Sequence, residues 1–342
     1  MIRSVQYWRA IAALTVVIAH ILLHPMPFPD PTYRRLGSFG VLLFFVISGF
    51  IMVYTTGRGR FDPADFLRRR IERVAPLYWL VTFAVAMMAI VTPSLLRNTT
   101  FSFQQLLLSC LFIPYARADG EIVPLMKLGW SLNYEIFFYI LFATTFRLTA
   151  VQRVASMAGG FLFIILLGQM IGFTQPIAYF YTQPVILSFC VGMGIGLCIL
   201  NEQLWRKMPG PIFWAILAAL LFTAGFMVTP DAAVNMATDA CFTLASAAML
   251  LFGLRVKSGI APSPVGLFLG DISYAIYLVH MYVVAAVALI VSRLFGAPSL
   301  LLTIPLTIGI TIAVSGLVHH MFEKPVRRWF RAQHVRRTAA ST

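Results

Sequence analysis

Residues 36–56 have the sequence LGSFGVLLFFVISGFIMVYTT, a run of 21 residues without a charged side chain. About 20 mostly apolar residues are the length that an α-helix needs to cross the hydrocarbon core of a membrane. Runs of similar length recur along the whole chain. They predict an all-α integral membrane protein with about ten transmembrane helices, at residues 5–23, 36–56, 74–92, 130–147, 156–172, 184–200, 211–229, 234–253, 271–292 and 299–321.

The composition argues against a soluble protein. Hydrophobic residues make up 60% of the 342-residue chain and charged residues only 11%, against roughly a quarter in soluble domains. No hydrophilic stretch is long enough to form a separate domain. We therefore expect one membrane domain at residues 1–333, followed by a short, disordered cytoplasmic tail at residues 334–342.

The basic residues lie between the hydrophobic runs. A net charge of +14 would suggest a nucleic-acid partner in a soluble protein. If the N-terminus is cytoplasmic, however, most of the 26 Lys and Arg residues fall on the cytoplasmic side, as the positive-inside rule requires. An even number of spans then places both termini in the cytoplasm. We assign the charge to membrane topology and expect no nucleic-acid partner.

Ionisable groups inside a membrane are costly, so each one is a functional candidate. Arg9 and His20 lie on the first predicted span, on nearly the same helix face and about 16 Å apart along the axis. Arg9 is expected at the cytoplasmic end and His20 toward the outer leaflet. His20 could be a packing residue, but an arginine on the same face favours a catalytic role for both.

Glu135 begins the fourth predicted span, at the same outer side as His20. A carboxylate beside a histidine can fix its tautomer and raise its basicity, so Glu135 is a further catalytic candidate. A structural role, as partner of an arginine or tyrosine, stays open. Asp239 could line a polar cavity or cap a helix, and His280 could line a tunnel or bond a tyrosine. The candidates for substrate binding are Trp130, Asp239, Tyr277 and His280.

A dense basic cluster follows the second span. Arginine suits phosphate because its planar guanidinium donates two parallel hydrogen bonds, although such a cluster could equally face anionic lipid. In the second span, Ser48-Gly49 lets a neighbouring helix or a ligand come close. The candidates for binding a phosphate-bearing cosubstrate are Arg9, Arg68, Arg69, Arg70, Arg73 and Ser48. The four dispersed cysteines predict neither a disulfide nor a metal site, and no bound metal or cofactor is expected.

Six segments, in order along nearly the whole chain, resemble motifs of the membrane acyltransferase-3 family. Arg9 and His20 look like its R-x10-H motif. The other segments are FFVISGF (44–50), similar to F-F-x-x-S-G-F; FLRRRIERVAPLY (66–78), similar to R-R-x-x-R-x-x-P-x-Y; WSLNYE (130–135), similar to W-S-L-x-x-E; SYAIYLVH (273–280), similar to S-Y-x-x-Y-L-x-H; and EKP (323–325), similar to E-K-P.

The resemblance implies a single membrane acyltransferase domain of ten or so spans, with catalytic importance for Arg9 and His20. It implies transfer of an acyl group, usually acetyl from acetyl-CoA, to a hydroxyl of an envelope sugar. The short tail is most similar to the exopolysaccharide O-acetyltransferase branch. The expected partners are acetyl-CoA as cosubstrate, a polysaccharide or lipid-linked oligosaccharide as acceptor, and membrane lipid.

We therefore expect an O-acetyltransferase of the bacterial inner (plasma) membrane. In this hypothesis the donor binds at the cytoplasmic side, and His20 acts as general base on the acceptor hydroxyl. Direct transfer and relay through an acetyl-His20 intermediate both stay open. The alternative is a transporter or flippase for a lipid-linked sugar or small substrate, because carriers also use ionisable groups inside the membrane.

Overall fold

The computed structural model describes residues 2–23, 32–92, 101–228, 235–256, 263–296 and 300–340, with side chains described up to residue 333. Within these ranges the regular structure is helical, as predicted. The helices are α1 (Arg3–Leu23), α2 (Thr32–Thr56), α3 (Pro63–Val91), α4 (Phe103–Cys110), α5 (Trp130–Thr144), α6 (Ala150–Ile171), α7 (Pro176–Tyr181), α8 (Leu187–Leu200), α9 (Glu202–Lys207), α10 (Pro211–Met227), α11 (Met236–Arg255), α12 (Pro264–Phe295), α13 (Leu300–Val318) and α14 (Lys324–Ala340).

Seven helical segments of the described chain are long and apolar enough to cross a membrane. They are α1, α2, α3, α6, α11, α12 and the continuous segment Leu300–Gln333, which joins α13 to α14. Two shorter apolar segments, Pro184–Leu200 and Pro211–Met227, contain α8 and α10, and α5 has 15 residues. Each of the ten predicted spans therefore overlaps a helix, while the count of ten crossings stays a prediction.

Several helices begin outside their apolar run, because polar residues cap them there. The Asp62 side chain accepts hydrogen bonds from the first turn of α3, and Pro63 opens the helix. Ser263 caps α12 in the same way, ahead of Pro264. Both are standard helix starts. At the other end of α12, Gly296 takes a left-handed conformation with φ of 74°, which glycine adopts without strain. These caps lengthen α3 and α12 beyond the predicted spans.

The chain divides into two compact units, which are described separately. The first unit comprises residues 1–60, 147–162 and 184–315, and its α2 packs against α1, α8 and α11. At the crossing of α2 and α8 the backbones touch. A Cβ at Gly49 would lie 2.0 Å from the carbonyl oxygen of Phe189, and one at Gly192 would lie 2.0 Å from that of Val46. Only glycine permits this approach.

Buried or partly buried arginines donate hydrogen bonds to backbone carbonyl oxygens near helix ends in the first unit. Arg153 is fully buried. It donates to the Thr56 hydroxyl at 2.9 Å and to the carbonyl oxygens of Gly59 at 2.8 Å and Leu148 at 3.0 Å. Arg255 donates to the carbonyl oxygens of Trp205, Met208 and Pro209 around the end of α9. Part of the basic charge assigned to topology therefore also satisfies backbone groups that helix ends leave unpaired.

The second unit comprises residues 61–146, 163–183 and 316–342. Aromatic side chains form its core: the rings of Phe66 on α3 and Phe142 on α5 stack with centroids 5.2 Å apart, and those of Tyr134 and Phe180 with centroids 4.1 Å apart. Such pairs add stability beyond their buried area. Tyr78 of α3 donates to the carbonyl oxygen of Ser109 at 3.2 Å, which ties α4 to this core.

A single π-helical turn, His319–Glu323, separates α13 from α14 in the second unit. Its two end residues are buried and bonded to each other, with His319 Nδ1 2.5 Å from a Glu323 carboxylate oxygen. Arg327 donates to the other oxygen at 3.3 Å. Glu323, the glutamate of the E-K-P segment, is therefore held by two partners of its own helix. Beyond it, α14 continues to Ala340, into the segment predicted as a tail.

Candidate active site

Two histidines meet in the first unit. His280 of α12 places its Nε2 3.2 Å from Nδ1 of His20 on α1, and the ring centroids are 4.9 Å apart. His280 is 0% exposed, and His20 is half-buried. Each residue was a separate candidate in the sequence, and the packing of α1 on α12 makes them neighbours.

Backbone carbonyls favour one assignment of the protons in this pair. His20 Nδ1 is 2.9 Å from the carbonyl oxygen of Val16, and His280 Nδ1 is 3.1 Å from that of Ile276. A carbonyl oxygen only accepts, so each Nδ1 carries a hydrogen. His280 Nε2 then holds a lone pair and accepts from the shared Nδ1–H of His20. In this tautomer the lone pair of His20 is on Nε2, where a general base needs it.

Arg9 anchors a polar chain toward the N-terminal ends of the same two helices. Its Nη1 donates to Gln6 Oε1 at 3.0 Å, and Gln6 Nε2 donates to Asp271 of α12. Arg9 is only 8% exposed. The sequence analysis did not single out Gln6 or Asp271. A signal for Asp271 existed, since it is an ionisable residue at the first position of a predicted span.

One predicted binding residue, Tyr277, lies near the histidine pair, and another, Ser48, lies on α2. Tyr277 is buried, and its ring centroid lies 6.1 Å from that of His280 and 5.9 Å from that of Phe44 on α2. Ser48, one helical turn beyond Phe44, is also buried. Ser48 therefore belongs to the first unit, which also contains His20. The adjacent Gly49 packs directly on α8.

Asp239 makes a different contact in the first unit. Its Oδ1 accepts from the Ser38 hydroxyl of α2 at 2.9 Å. Asn235, not Asp239, caps α11 by accepting from the backbone amide of Thr238. The structure thus excludes the capping role that the sequence left open for Asp239. Its proposed role in substrate binding stays a prediction.

Glu135 belongs to the second unit, on α5. Tyr139 donates its hydroxyl to Glu135 Oε1, and the guanidinium carbon of Arg70 lies 6.0 Å from the Tyr139 ring centroid and 5.5 Å from that of Phe66. A tyrosine is thus one partner of Glu135, in line with the structural alternative. Tyr139 was not a candidate in the sequence, although its i+4 position relative to Glu135 was a usable signal. A role of Glu135 toward His20 stays a prediction.

The arginine cluster divides between faces of α3. Arg68 and Arg69 both pair with Asp65, Arg68 at 2.5 Å, and the Arg69 side chain is 69% exposed. Arg70 instead lies against the aromatic core, and Arg73 is half-buried. Arg69 is the most open of the predicted phosphate ligands. Trp130, at the start of α5, packs edge-on against Tyr134 with ring centroids 6.1 Å apart.

Comparison with known proteins identifies the chain. Residues 2–320 match the model of a protein family described as an acyltransferase domain, Acyl_transf_3. The chain belongs to this acyltransferase family. The family match covers both units of the structure, and it contains the Arg9–Gln6–Asp271 chain, the histidine pair and the arginine cluster.

Two relatives align over most of the acyltransferase. The exopolysaccharide production protein ExoZ of Rhizobium meliloti (strain 1021) is 32% identical over 308 residues, which cover 88% of this chain and 92% of the relative. The acyltransferase MdmB of Streptomyces mycarofaciens is 27% identical over 365 residues, covering 94% and 90%. No solved structure gives a significant match. Among its described residues, the acyltransferase has no group of three or more His, Cys, Asp or Glu that could hold a metal ion.

Proposed function

We propose that this acyltransferase is an O-acetyltransferase of the bacterial inner membrane, with both termini in the cytoplasm. It moves an acetyl group from cytoplasmic acetyl-CoA to a hydroxyl of an envelope or exported polysaccharide, or of its lipid-linked precursor. The observation that carries the proposal is the histidine pair, in which the carbonyl-bonded Nδ1 atoms leave the lone pair of His20 on Nε2. Family membership and the name of the exopolysaccharide relative support the reaction class and the acceptor class.

In this mechanism His20 Nε2 takes the proton of the acceptor hydroxyl. The hydroxyl oxygen attacks the thioester carbonyl, the C–O bond forms, and the C–S bond breaks. The proton held by His20 is then available to the departing thiolate, so the products are the acetyl ester and CoA thiol. His280 keeps the proton on Nδ1 of His20 throughout, which directs the reacting lone pair toward the substrate.

In this proposal, arginines of each unit contact the phosphates of the donor. Arg9 is buried and oriented by Gln6, so little conformational entropy is lost when it binds an anion. Arg69 is exposed and shares helix α3 with Arg68, Arg70 and Arg73. Fixed guanidinium groups suit the phosphates of acetyl-CoA. Ser48 is proposed to contact the donor. The proposed acceptor contacts are Asp239, Tyr277 and His280 in the first unit and Trp130 in the second.

The proposal is tested by replacing His20 in the cell. The gene is deleted in its own host and restored as wild type, as His20→Ala or as His320→Ala, and base-labile acetate on the envelope polysaccharides is measured by NMR. His320 is the matched control, because it is an exposed histidine of the same chain whose Nδ1 lies 3.1 Å from Lys324. Immunoblots check that all three proteins reach the membrane equally.

We expect acetate to return with wild type and His320→Ala but not with His20→Ala, because removing the base removes a contribution of about 10²–10⁴-fold. Full acetylation by the His20→Ala protein would contradict the mechanism. Acetate that never depends on the gene would instead contradict the enzyme assignment and favour the carrier alternative. A detergent assay of CoA thiol release from acetyl-CoA separates these two, since a carrier releases none.

A further inference from the structure

One face of α13 carries hydroxyl groups at every fourth residue. All four of these side chains are buried, with at most 1% of their surface exposed, and their hydroxyl oxygens have no hydrogen-bond partner within the described structure. The opposite face is apolar and open, with Leu301 89% and Leu317 59% exposed. We call the four the hydroxyl row: Thr303, Thr307, Thr311 and Ser315.

The hydroxyl row departs from what most helical serines and threonines of the described chain do, and the other two partnerless buried hydroxyls, those of Thr82 and Thr238, lie singly on different helices. A helical hydroxyl usually donates to the carbonyl oxygen one turn earlier. Thr15 does so to Ile11 at 2.8 Å, Thr55 to Ile51 at 2.7 Å, and Ser246 to Phe242 at 2.7 Å. Water is scarce inside a membrane, so an unpaired polar group there is especially costly. Four such groups in register on one helix face therefore indicate a polar partner that binds along this face.

The position of the row places it beside the candidate active site. Ile304, Ile308 and Ile312 of α13 pack on a cluster formed by Ala13, Val17 and Ile21 of α1 and Ile272 and Ile276 of α12. Each of these isoleucines directly follows a residue of the row, about 100° around the helix. The hydroxyl face of α13 thus adjoins the face that packs on the two helices carrying His20 and His280, and all of these residues belong to the first unit.

We propose that the hydroxyl row binds the amide-bearing arm of the acyl-CoA donor. This inference rests on the proposed function, which makes acetyl-CoA the donor. The row spans twelve residues, or about 18 Å of helix, comparable with the roughly 16 Å between Arg9 and His20. Its hydroxyls repeat at about 6 Å intervals. A hydroxyl both donates and accepts, so a row of them matches a chain that alternates amide N–H and carbonyl groups.

Binding must be coupled to a displacement, because the four hydroxyls are covered. Pro305 lies inside α13, between the first and second members of the row. A proline removes one backbone hydrogen bond of a helix and favours a kink. The covering side chains would therefore give way most readily near Pro305, where α13 bends at the lowest cost.

The test removes hydroxyls without changing side-chain shape. Thr307→Val with Thr311→Val keeps a branched side chain of similar volume, and Thr307→Ser with Thr311→Ser keeps the hydroxyls. Thr15→Val is the matched control, since it removes a hydroxyl that already has a backbone partner. The purified full chain in detergent is titrated with CoA and with 3′,5′-ADP, which has the phosphates but not the arm, and thermal midpoints without nucleotide report folding.

We expect the double valine variant to bind CoA about fivefold to tenfold more weakly, the loss of one or two neutral hydrogen bonds. Its affinity for 3′,5′-ADP, and both affinities of the serine and Thr15→Val variants, should stay within about twofold of wild type, within the scatter expected of neutral changes. The thermal midpoint of the valine variant should not fall, because it loses unpaired buried groups.

Two results overturn the inference in different ways. If wild type binds CoA and the double valine variant binds it equally well, the hydroxyl row does not hold the arm, while the proposed donor stands. An equal loss of affinity for CoA and 3′,5′-ADP also overturns it, because the effect then does not depend on the arm. If wild type binds no CoA, the proposed donor itself fails, and the inference fails with it.

Discussion

A second histidine, His280, occupies the position beside the candidate base that a carboxylate takes in serine hydrolases. Its own Nδ1–H is held by the carbonyl oxygen of Ile276, so its Nε2 accepts from His20. A buried carboxylate would orient His20 equally well, but it would add a charge that the membrane interior penalises. The contact with His280 therefore orients His20 without adding a carboxylate charge.

Substitutions at His280 should show whether this residue orients His20 or only fills space. The carbonyl oxygen of His280→Gln can still accept from His20 Nδ1–H, whereas the side chain of His280→Leu cannot accept. We expect His280→Leu to lower kcat by about 10²-fold, with a KM for acetyl-CoA close to wild type, and His280→Gln to recover much of the loss. Acetyl transfer kinetics in detergent measure both. Equal activity of the two variants would mean that His280 only fills space.

At the residue scale the sequence identifies the candidate site residues but not all of their partners. Arg9, His20 and His280 stand out because ionisable side chains are rare in apolar runs. Gln6 and Tyr139 do not, because a neutral polar residue in a predicted span has many ordinary roles. The pairing of His20 with His280 depends on which helices pack together, and the one-dimensional pattern does not encode this choice.

At the scale of elements, the contact of α2 with α8 depends on the absence of side chains. Gly192 faces the carbonyl oxygen of Val46, whereas Gly194, on the same helix, has nothing within 4 Å of its would-be Cβ. The sequence left open whether the Ser48-Gly49 step admits a helix or a ligand. The structure shows that the Gly49 position admits the backbone of α8.

Alanine at these two glycines should have opposite effects. Gly192→Ala places a methyl group against a carbonyl oxygen that has no room to move, which should lower the free energy of unfolding by about 3 kcal/mol. Gly194→Ala should be neutral or stabilise by up to ~1 kcal/mol, since alanine is the better helix former. Thermal denaturation in detergent, followed by circular dichroism, measures both. Similar stability of the two variants would contradict the close crossing.

The ends of elements were less predictable than their existence. Hydropathy places the start of α3 at residue 74 and that of α12 at residue 271, yet the helices begin at Pro63 and Pro264. The extra turns are polar and are held by capping side chains, which a hydropathy pattern does not detect. Caps such as Asp62-Pro63 and Ser263-Pro264 were present in the sequence as independent signals.

At the scale of the whole molecule, helix directions agree with an alternating order of spans. α1 and α12 are predicted spans one and nine and should run the same way. Two contacts show that they do. The backbone N–H of Ser263 donates to the Tyr7 hydroxyl near the start of both helices, and His20 meets His280 further along both. α2 and α8, predicted spans two and six, also run in parallel: Phe45 stacks on Phe189, and further along both helices Val53 lies against Gly196. The side of the membrane on which the chain begins stays a prediction.

Reporter fusions test the predicted orientation. Alkaline phosphatase is active only after export and green fluorescent protein fluoresces only in the cytoplasm, so the two report opposite sides. We expect phosphatase activity for a fusion after Thr174 and fluorescence for fusions after Pro209 and at the C-terminus, because an even number of spans returns the chain to its starting side. Phosphatase activity after Pro209 would contradict the topology.

Arg255 donates to three carbonyl oxygens, those of Pro209 at 3.1 Å, Trp205 at 3.1 Å and Met208 at 2.9 Å, and its guanidinium lies 4.9 Å from the Trp205 ring centroid. During synthesis the insertion machinery senses only its positive charge. After insertion, the same side chain acts through its planar shape, which lysine lacks. The side chain of Arg255 thus contributes both to the orientation of the chain in the membrane and to its folding. We expect Arg255→Lys to keep the orientation of the chain in the membrane, because the positive charge remains. The variant should be less stable, because lysine cannot bond all three carbonyl oxygens in the same geometry.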